Sequence, residues 1–148
     1  MEIMVVKYSK DKFMDLLLLG DEQEDMIKKY LDRGYLFALY DTDLKTAAVV
    51  TEEKKGVYEI KNIATYEKYR KHGYATNMIK YIIEYYKRQC EYLLIGTGEN
   101  DRILEFYKKF GFKYSHTVKD FFTKNYDHEI IEDGKQLKDM IYLRLDFI

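Results

Sequence analysis

The stretch from Ile60 to Lys80, IKNIATYEKYRKHGYATNMIK, constrains this chain more than any other. Its apolar and β-branched opening reads as the end of a strand, Val57–Thr65. A polar turn, Tyr66–His72, follows. Gly73-Tyr74-Ala75 then opens a helix, Tyr74–Arg88, in which Met78, Ile79, Ile82, Ile83 and Tyr86 recur at helical spacing. A strand that passes into a helix through such a turn leaves the first helical N–H groups without intrahelical partners. Those donors and the positive end of the helix dipole suit a phosphate group. Gly73 carries no Cβ to hold a ligand off the main chain, and Ala75 costs one methyl. Arg70, Lys71 and His72 add charge to the turn.

The rest of the chain builds a sheet around this unit. Ile3–Tyr8 reads as a strand. A helix near Lys12, capped by Ser9 or Asp11, ends at Gly20. Asp21 is expected to cap a second helix carrying Met26, Ile27, Tyr30 and Leu31, which Gly34 stops. Tyr35–Tyr40, Thr46–Thr51 and Val57–Thr65, joined by short polar turns, predict an antiparallel meander. Tyr92–Thr97 is apolar enough for a buried central strand, and with the helix before it forms a right-handed β-α-β crossover from Val57–Thr65. Asp101–Phe110 predicts an amphipathic helix ended by Gly111. Phe112–Val118 and Met140–Phe147 predict the last strands. Between them Lys119–Asp139 lacks periodicity, and a connection of that length is usually functional or flexible. The fold class expected is α/β (α+β): one domain over residues 1–148, with a mixed, mostly antiparallel sheet of six or seven strands and about four flanking helices.

Charge and cysteine usage narrow the function. The chain has 25 basic and 26 acidic side chains, a net charge of −1, so no general nucleic-acid or membrane-surface footprint is present. No apolar run approaches the roughly 20 residues of a membrane helix, and the N-terminus does not read as a signal peptide. A cytoplasmic location is expected. The single cysteine, Cys90, excludes an internal disulfide framework, and its place at a helix C-terminal end argues against a nucleophile. His72, His116 and His128 show no metal-ligand spacing, so no metal is expected.

Arg70-Lys71-His72-Gly73-Tyr74-Ala75 resembles the pyrophosphate-binding R/Q-x-x-G-x-G/A signature of the GNAT family of N-acetyltransferases. The strand Asn62-Ile63-Ala64-Thr65 before it is similar to that family's N-I-A-V strand. Asn100 and then Phe106-Tyr107-Lys108-Lys109-Phe110-Gly111-Phe112 resemble its F-Y-x-x-x-G-F helix end, in the right order and at the right spacing. The likeness is best from Tyr35 to Tyr114. It implies an acyl-CoA N-acyltransferase fold and acetyl-CoA as cosubstrate. The pyrophosphate would lie over the main-chain N–H groups of Lys71 to Thr76, with Arg70 or Lys71 in reach of the 3′-phosphate. The backbone of Ile63, Ala64 and Thr65 would meet the pantetheine arm, joined by Asn100 and by Phe106 beside Tyr107. Tyr107 would be the general acid that protonates the departing thiolate.

A base is harder to place. Relatives that acetylate protein N-termini carry a glutamate where this chain has Ile95. Glu59 is the best remaining candidate, although alternation with Tyr58 and Ile60 leaves a solvent-facing position equally open. Glu99 is a weaker choice, and bulk water another. Tyr126, Asp127 and His128 in the long late connection are expected to touch the acceptor, as an alternative to a plain surface loop anchored by Phe121 and Phe122. The implied partner is a small-molecule or peptide amine, with neither nucleic acid nor membrane, and a homodimer left open. The reaction expected is direct attack of a primary amine in a ternary complex. The competing reading is a non-catalytic acyl-CoA sensor of the same fold.

Overall fold

A computed structural model describes residues 1–147 of the chain. Strand β1 (Glu2–Val6) leads through a 3-10 turn (Lys10–Phe13) into α1 (Met14–Leu17) and α2 (Glu24–Leu31). The meander β2 (Tyr35–Asp41), β3 (Asp43–Lys54) and β4 (Val57–Thr65) follows. Then come α3 (Tyr74–Tyr86), β5 (Tyr92–Thr97), α4 (Asp101–Lys108) and β6 (Lys113–Val118). The late connection holds α5 (Phe121–Asn125) and the short strands β7 (Ile131–Glu132) and β8 (Lys135–Gln136), before β9 (Met140–Asp146). Among the described residues the main sheet has seven strands in the order β1-β2-β3-β4-β5-β9-β6, and only β4 and β5 pair in parallel.

Each face of the sheet has its own core. On one face α3 and α4 bury Phe37, Val50, Ile60, Ile82, Tyr86 and Leu93. On the other, α1 and α2 bury Leu17, Ile27, Leu36, Ala38, Val49 and Ala64. A third, smaller cluster of Phe122, Ile130 and Leu137 holds the late connection down. That connection, which has no sequence periodicity, is thus a short helix and a two-residue-per-strand hairpin seated on its own apolar anchors.

The register of β4 locates the functional gap. Against β3, Asn62 pairs with Val49 and Ile60 with Val50, so Lys61 is an extra residue and forms a β-bulge. Against β5, pairing runs only from Val57 opposite Tyr92 to Ile60 opposite Ile95. Beyond the bulge, among the described residues, Lys61–Thr65 has no strand partner on its β5 side. The bulge also reverses the alternation of the strand. Ile60 and Ile63 both reach the α3 face, while Asn62 and Ala64 reach the α1 and α2 face.

Two local expectations are corrected. The first predicted helix is a 3-10 turn followed by only four α-helical residues. Asp21 does not cap α2. The N-cap is Gln23, which makes no capping bond, and the Asp21 carboxylate instead accepts hydrogen bonds from tyrosine hydroxyls.

Ile82 has no exposed surface and sits where α3 crosses the sheet. Ile82→Ala is expected to lower the unfolding free energy by about 2–5 kcal/mol. A urea titration would show this as an earlier midpoint at constant slope. A loss below about 1 kcal/mol would contradict this packing.

Candidate active site

The turn into α3 is pinned from several sides, and its donors are left uncapped. Gly73 is the N-cap, with φ 82°, and no side chain caps the helix. A Cβ at Gly73 would meet nothing within 4 Å, so the main chain is open to solvent at this residue. Lys71 is also left-handed, at φ 66°. His72 Nδ1 lies 3.0 Å from the Tyr69 carbonyl oxygen and 2.8 Å from that of Arg70, which closes the turn on itself. Arg70 Nε reaches back to the Thr65 carbonyl at 3.4 Å. The Tyr74 hydroxyl donates to Asp41 at 2.7 Å and ties the start of α3 to the end of β2. Arg70, Lys71 and His72 are exposed, while Tyr74, Ala75 and Thr76 are half-buried.

Next to this turn is the parted edge of β4. Ile63 points into the α3 face and Ala64 is buried on the opposite face, so only their main chain lines the gap. The Thr65 hydroxyl is 2.8 Å from that of Thr46. Tyr107 on α4 is 7 % exposed, belongs to the core of the α3 face and packs edge-on against Phe106 and Phe112. Burial raises its phenol above the ordinary tyrosine value, and the charge of nearby Glu132 adds to this. The proton therefore stays on the ring oxygen at any working pH. Cys90, by contrast, is buried, its thiol donates to the Tyr92 carbonyl, and burial raises its pKa. It has none of the features of a nucleophile.

Beyond the gap is a cavity of about 400 Å³. Glu59, Ile60 and Lys61 of β4 form one wall, and Gly96 and Thr97 of β5 another. Asp21, Tyr30, Tyr126 and Tyr142 also line it, and Asp21 sits between the hydroxyls of Tyr30 and Tyr126. Glu59 is 6 % exposed, so it does not face open solvent. Burial raises its carboxyl above the ordinary glutamate value, against the opposing pull of Lys61 at 3.3 Å, and Glu53 adds to the rise.

Tyr126, Asp127 and His128 have distinct places. The Tyr126 ring lines the cavity, and its hydroxyl donates to Asp21 at 2.6 Å. The Asp127 N–H donates to Gln23 Oε1 at 2.9 Å. His128 Nδ1 lies 2.7 Å from Asp127, and Nε2 lies 3.5 Å from Glu22. Asp127 and His128 line a smaller outer cleft instead. Together the segment is a clasp that closes the late connection onto Asp21-Glu22-Gln23.

Asn100 serves as the N-cap of α4. Its Oδ1 accepts from the N–H groups of Arg102 and Ile103 at 3.1 and 3.4 Å. Its Nδ2 donates to Glu132 at 3.0 Å and Asp133 at 2.8 Å, so it also anchors the β7–β8 hairpin. Sequence reasoning found the cap but not the hairpin. It also missed Asp21, Tyr30, Asn62, Glu132 and Tyr142 as parts of one site. No local pattern marks them, since Asp21 and Tyr126 are 105 positions apart. Glu99 is exposed and does not line the cavity.

A profile of the Acetyltransferase (GNAT) family matches residues 7–112. This chain belongs to that family. The uncharacterized N-acetyltransferase YvbK of Bacillus subtilis is 35 % identical over 141 residues, which cover 93 % of this chain and 91 % of the relative. A GNAT acetyltransferase of Elizabethkingia anophelis solved with acetyl-CoA bound superposes with a TM-score of 0.92 at 32 % identity, covering 98 % of this chain and 97 % of that one. A Bacillus subtilis acetyltransferase solved with CoA gives 0.90 at 34 % identity, with the same coverage of both chains. The GNAT fold expected from the motif strand, turn and helix is therefore the fold observed.

Removing the Asn100 side chain strips the cap from α4 and the anchor from the hairpin together. Asn100→Ala is expected to cost about 1–2 kcal/mol of stability. Hydrogen exchange should quicken at Ile131–Gln136 and in the first turn of α4. Equal protection in both segments would show that Asn100 anchors neither.

Proposed function

We propose that this chain moves the acetyl group of acetyl-CoA onto the nitrogen of a small primary amine held in the cavity beside Glu59. The observation that carries this reading is the succession of uncapped N–H groups at α3, unpaired β4 edge and adjoining cavity, with a buried carboxylate on the cavity wall and a buried phenol on α4. The uncapped α3 N–H groups and the open main chain at Gly73 suit a diphosphate, and the family relationship supports acetyl-CoA as the donor. When bound, acetyl-CoA supplies an acetyl group already activated as a thioester.

The residues of the chain divide the remaining work. The N–H groups of Gly73 to Thr76 hold the diphosphate, and the charges of Arg70 and Lys71 add to that field. The β4 edge at Ile63 to Thr65 holds the pantetheine arm in the manner of an added strand. A main-chain N–H there faces the acetyl oxygen, where a fixed donor favours developing negative charge. Glu59 takes the proton that the amine must lose. Its raised pKa brings its basicity nearer to neutrality. Tyr107 gives its proton to the departing sulfur. The enclosing aromatic walls and the clasped late connection favour a small acceptor over a folded protein surface.

Tyr107→Phe is expected to lower kcat by about 10²–10⁴-fold while leaving the calorimetric Kd for acetyl-CoA within a factor of about three of wild type. Full kcat in this variant would remove the acid role.

Glu59 yields a pH prediction. A base must be deprotonated, so kcat/KM should fall on the acid side around a pKa above the ordinary glutamate value. The same shift means that the folded chain binds a proton over a pH range where the unfolded chain has lost it. Stability therefore falls as pH rises through that range, by linkage. Glu59→Gln should abolish the acid limb of kcat/KM and flatten that part of the stability curve. An unchanged acid limb would assign the base to another group.

A further inference from the structure

The charges on the cavity wall are unevenly compensated. Arg33 and Lys61 both pair with Glu53, at 3.1 and 3.4 Å, and Lys61 also pairs with Glu59 at 3.3 Å. The remaining basic wall residue, Lys29, is exposed and lies 3.3 Å from Met26 Sδ. On the acidic side, Glu22 has His128 at 3.5 Å. Asp21 and Glu132 differ from all of these. Both line the cavity, and among the described residues both are held by neutral donors alone. Asp21 accepts from the hydroxyls of Tyr30 at 2.8 Å and Tyr126 at 2.6 Å, and Glu132 accepts from Asn100 at 3.0 Å.

Asp21 is the better-built of the two. The Asn62 amide donates to the Tyr30 hydroxyl at 3.1 Å and to the Leu17 carbonyl at 2.9 Å, so the chain Asn62–Tyr30–Asp21–Tyr126 fixes the carboxylate from two distant segments of the chain. A carboxylate has about four lone-pair positions, and these hydroxyls use part of them. A half-buried carboxylate without a counter-charge gains from any cation that reaches it. The rings of Tyr30, Phe121, Tyr126 and Tyr142 line the same space, and aromatic faces attract an ammonium while accepting a carbon skeleton.

Building on the transferase reading, we propose that the cavity selects an acceptor amine that carries a second positive charge, and that Asp21 is the residue that reads it. The reacting nitrogen lies toward Glu59 and the far ammonium toward Asp21, with the aromatic walls around the carbons between. An acceptor with a far carboxylate meets Asp21 and Glu132 as like charges and is rejected.

The test compares cadaverine, n-pentylamine and δ-aminovalerate, which share a five-carbon skeleton and end in an ammonium, a methyl and a carboxylate. The series is repeated at eight carbons, so that a mismatch of span is separated from a mismatch of charge. At one length or the other, kcat/KM is expected to be at least about tenfold higher for the diamine than for the alkylamine, the size of one charge-assisted hydrogen bond. The amino acid should be the poorest acceptor. Asp21→Asn should cut the diamine preference to near unity, mainly through KM. Tyr126→Phe, which keeps the ring and removes one aiming hydroxyl, should reduce it in part. No diamine preference at either length, or a preference that survives in Asp21→Asn, would overturn the proposal. Wild-type protein that binds acetyl-CoA by calorimetry yet shows no charge preference overturns this proposal alone. Failure to bind acetyl-CoA at all overturns the transferase reading and this one with it.

Discussion

The parting of β4 from β5 after Ile60 is the constraint on which the rest of the molecule depends. A parallel pair that continued to Thr65 would satisfy its own main chain and leave no place for an extended ligand. The pairing ends just before the extra residue at Lys61, which turns the strand over. Because of that reversal, Asn62 reaches the α1 and α2 face, where it holds Leu17 and Tyr30. Its neighbour across the packing is Gly20, where any side chain would collide with the Asn62 amide oxygen. One inserted residue in a strand thus fixes the loop that carries Asp21, and with it part of the cavity wall.

The two halves of the site differ in how they are encoded. The donor half is local. Strand, turn and helix N-terminus follow one another from Val57 to Thr76, so glycine placement and periodicity reveal them in order. The meander, the parallel crossover and the cap at Asn100 were legible for the same reason. The acceptor half is assembled from segments far apart. Glu59 illustrates the limit: strand alternation leaves its environment undecided, because the cavity it lines is completed by residues of α2 and the late connection, far from β4 in sequence. Asp21 reads as a helix cap from its position alone. Its actual partners, Tyr30 and Tyr126, come from α2 and from the other end of the chain.

The late connection shows how a stretch without periodicity acquires a defined place. Phe122, Ile130 and Leu137 give it a small core of its own. Tyr126, Asp127 and His128 fasten one side to the α1–α2 loop, and Glu132 and Asp133 fasten the other to Asn100. Most of these polar contacts are exposed or half-exposed, and each contributes little alone. A segment with a small core and many surface contacts belongs to the low-stability part of a protein. That suits a cover over a cavity that an acceptor must enter and a product must leave.

The central claim is that uncapped N–H groups at α3 and the unpaired β4 edge form one surface for acetyl-CoA. An amide-resolved NMR titration of the wild-type chain with acetyl-CoA tests it most directly. The account predicts that the largest shift changes fall on Ile63–Thr65 and Gly73–Thr76, moving together along one binding curve. Saturable binding that leaves both segments unmoved would contradict it.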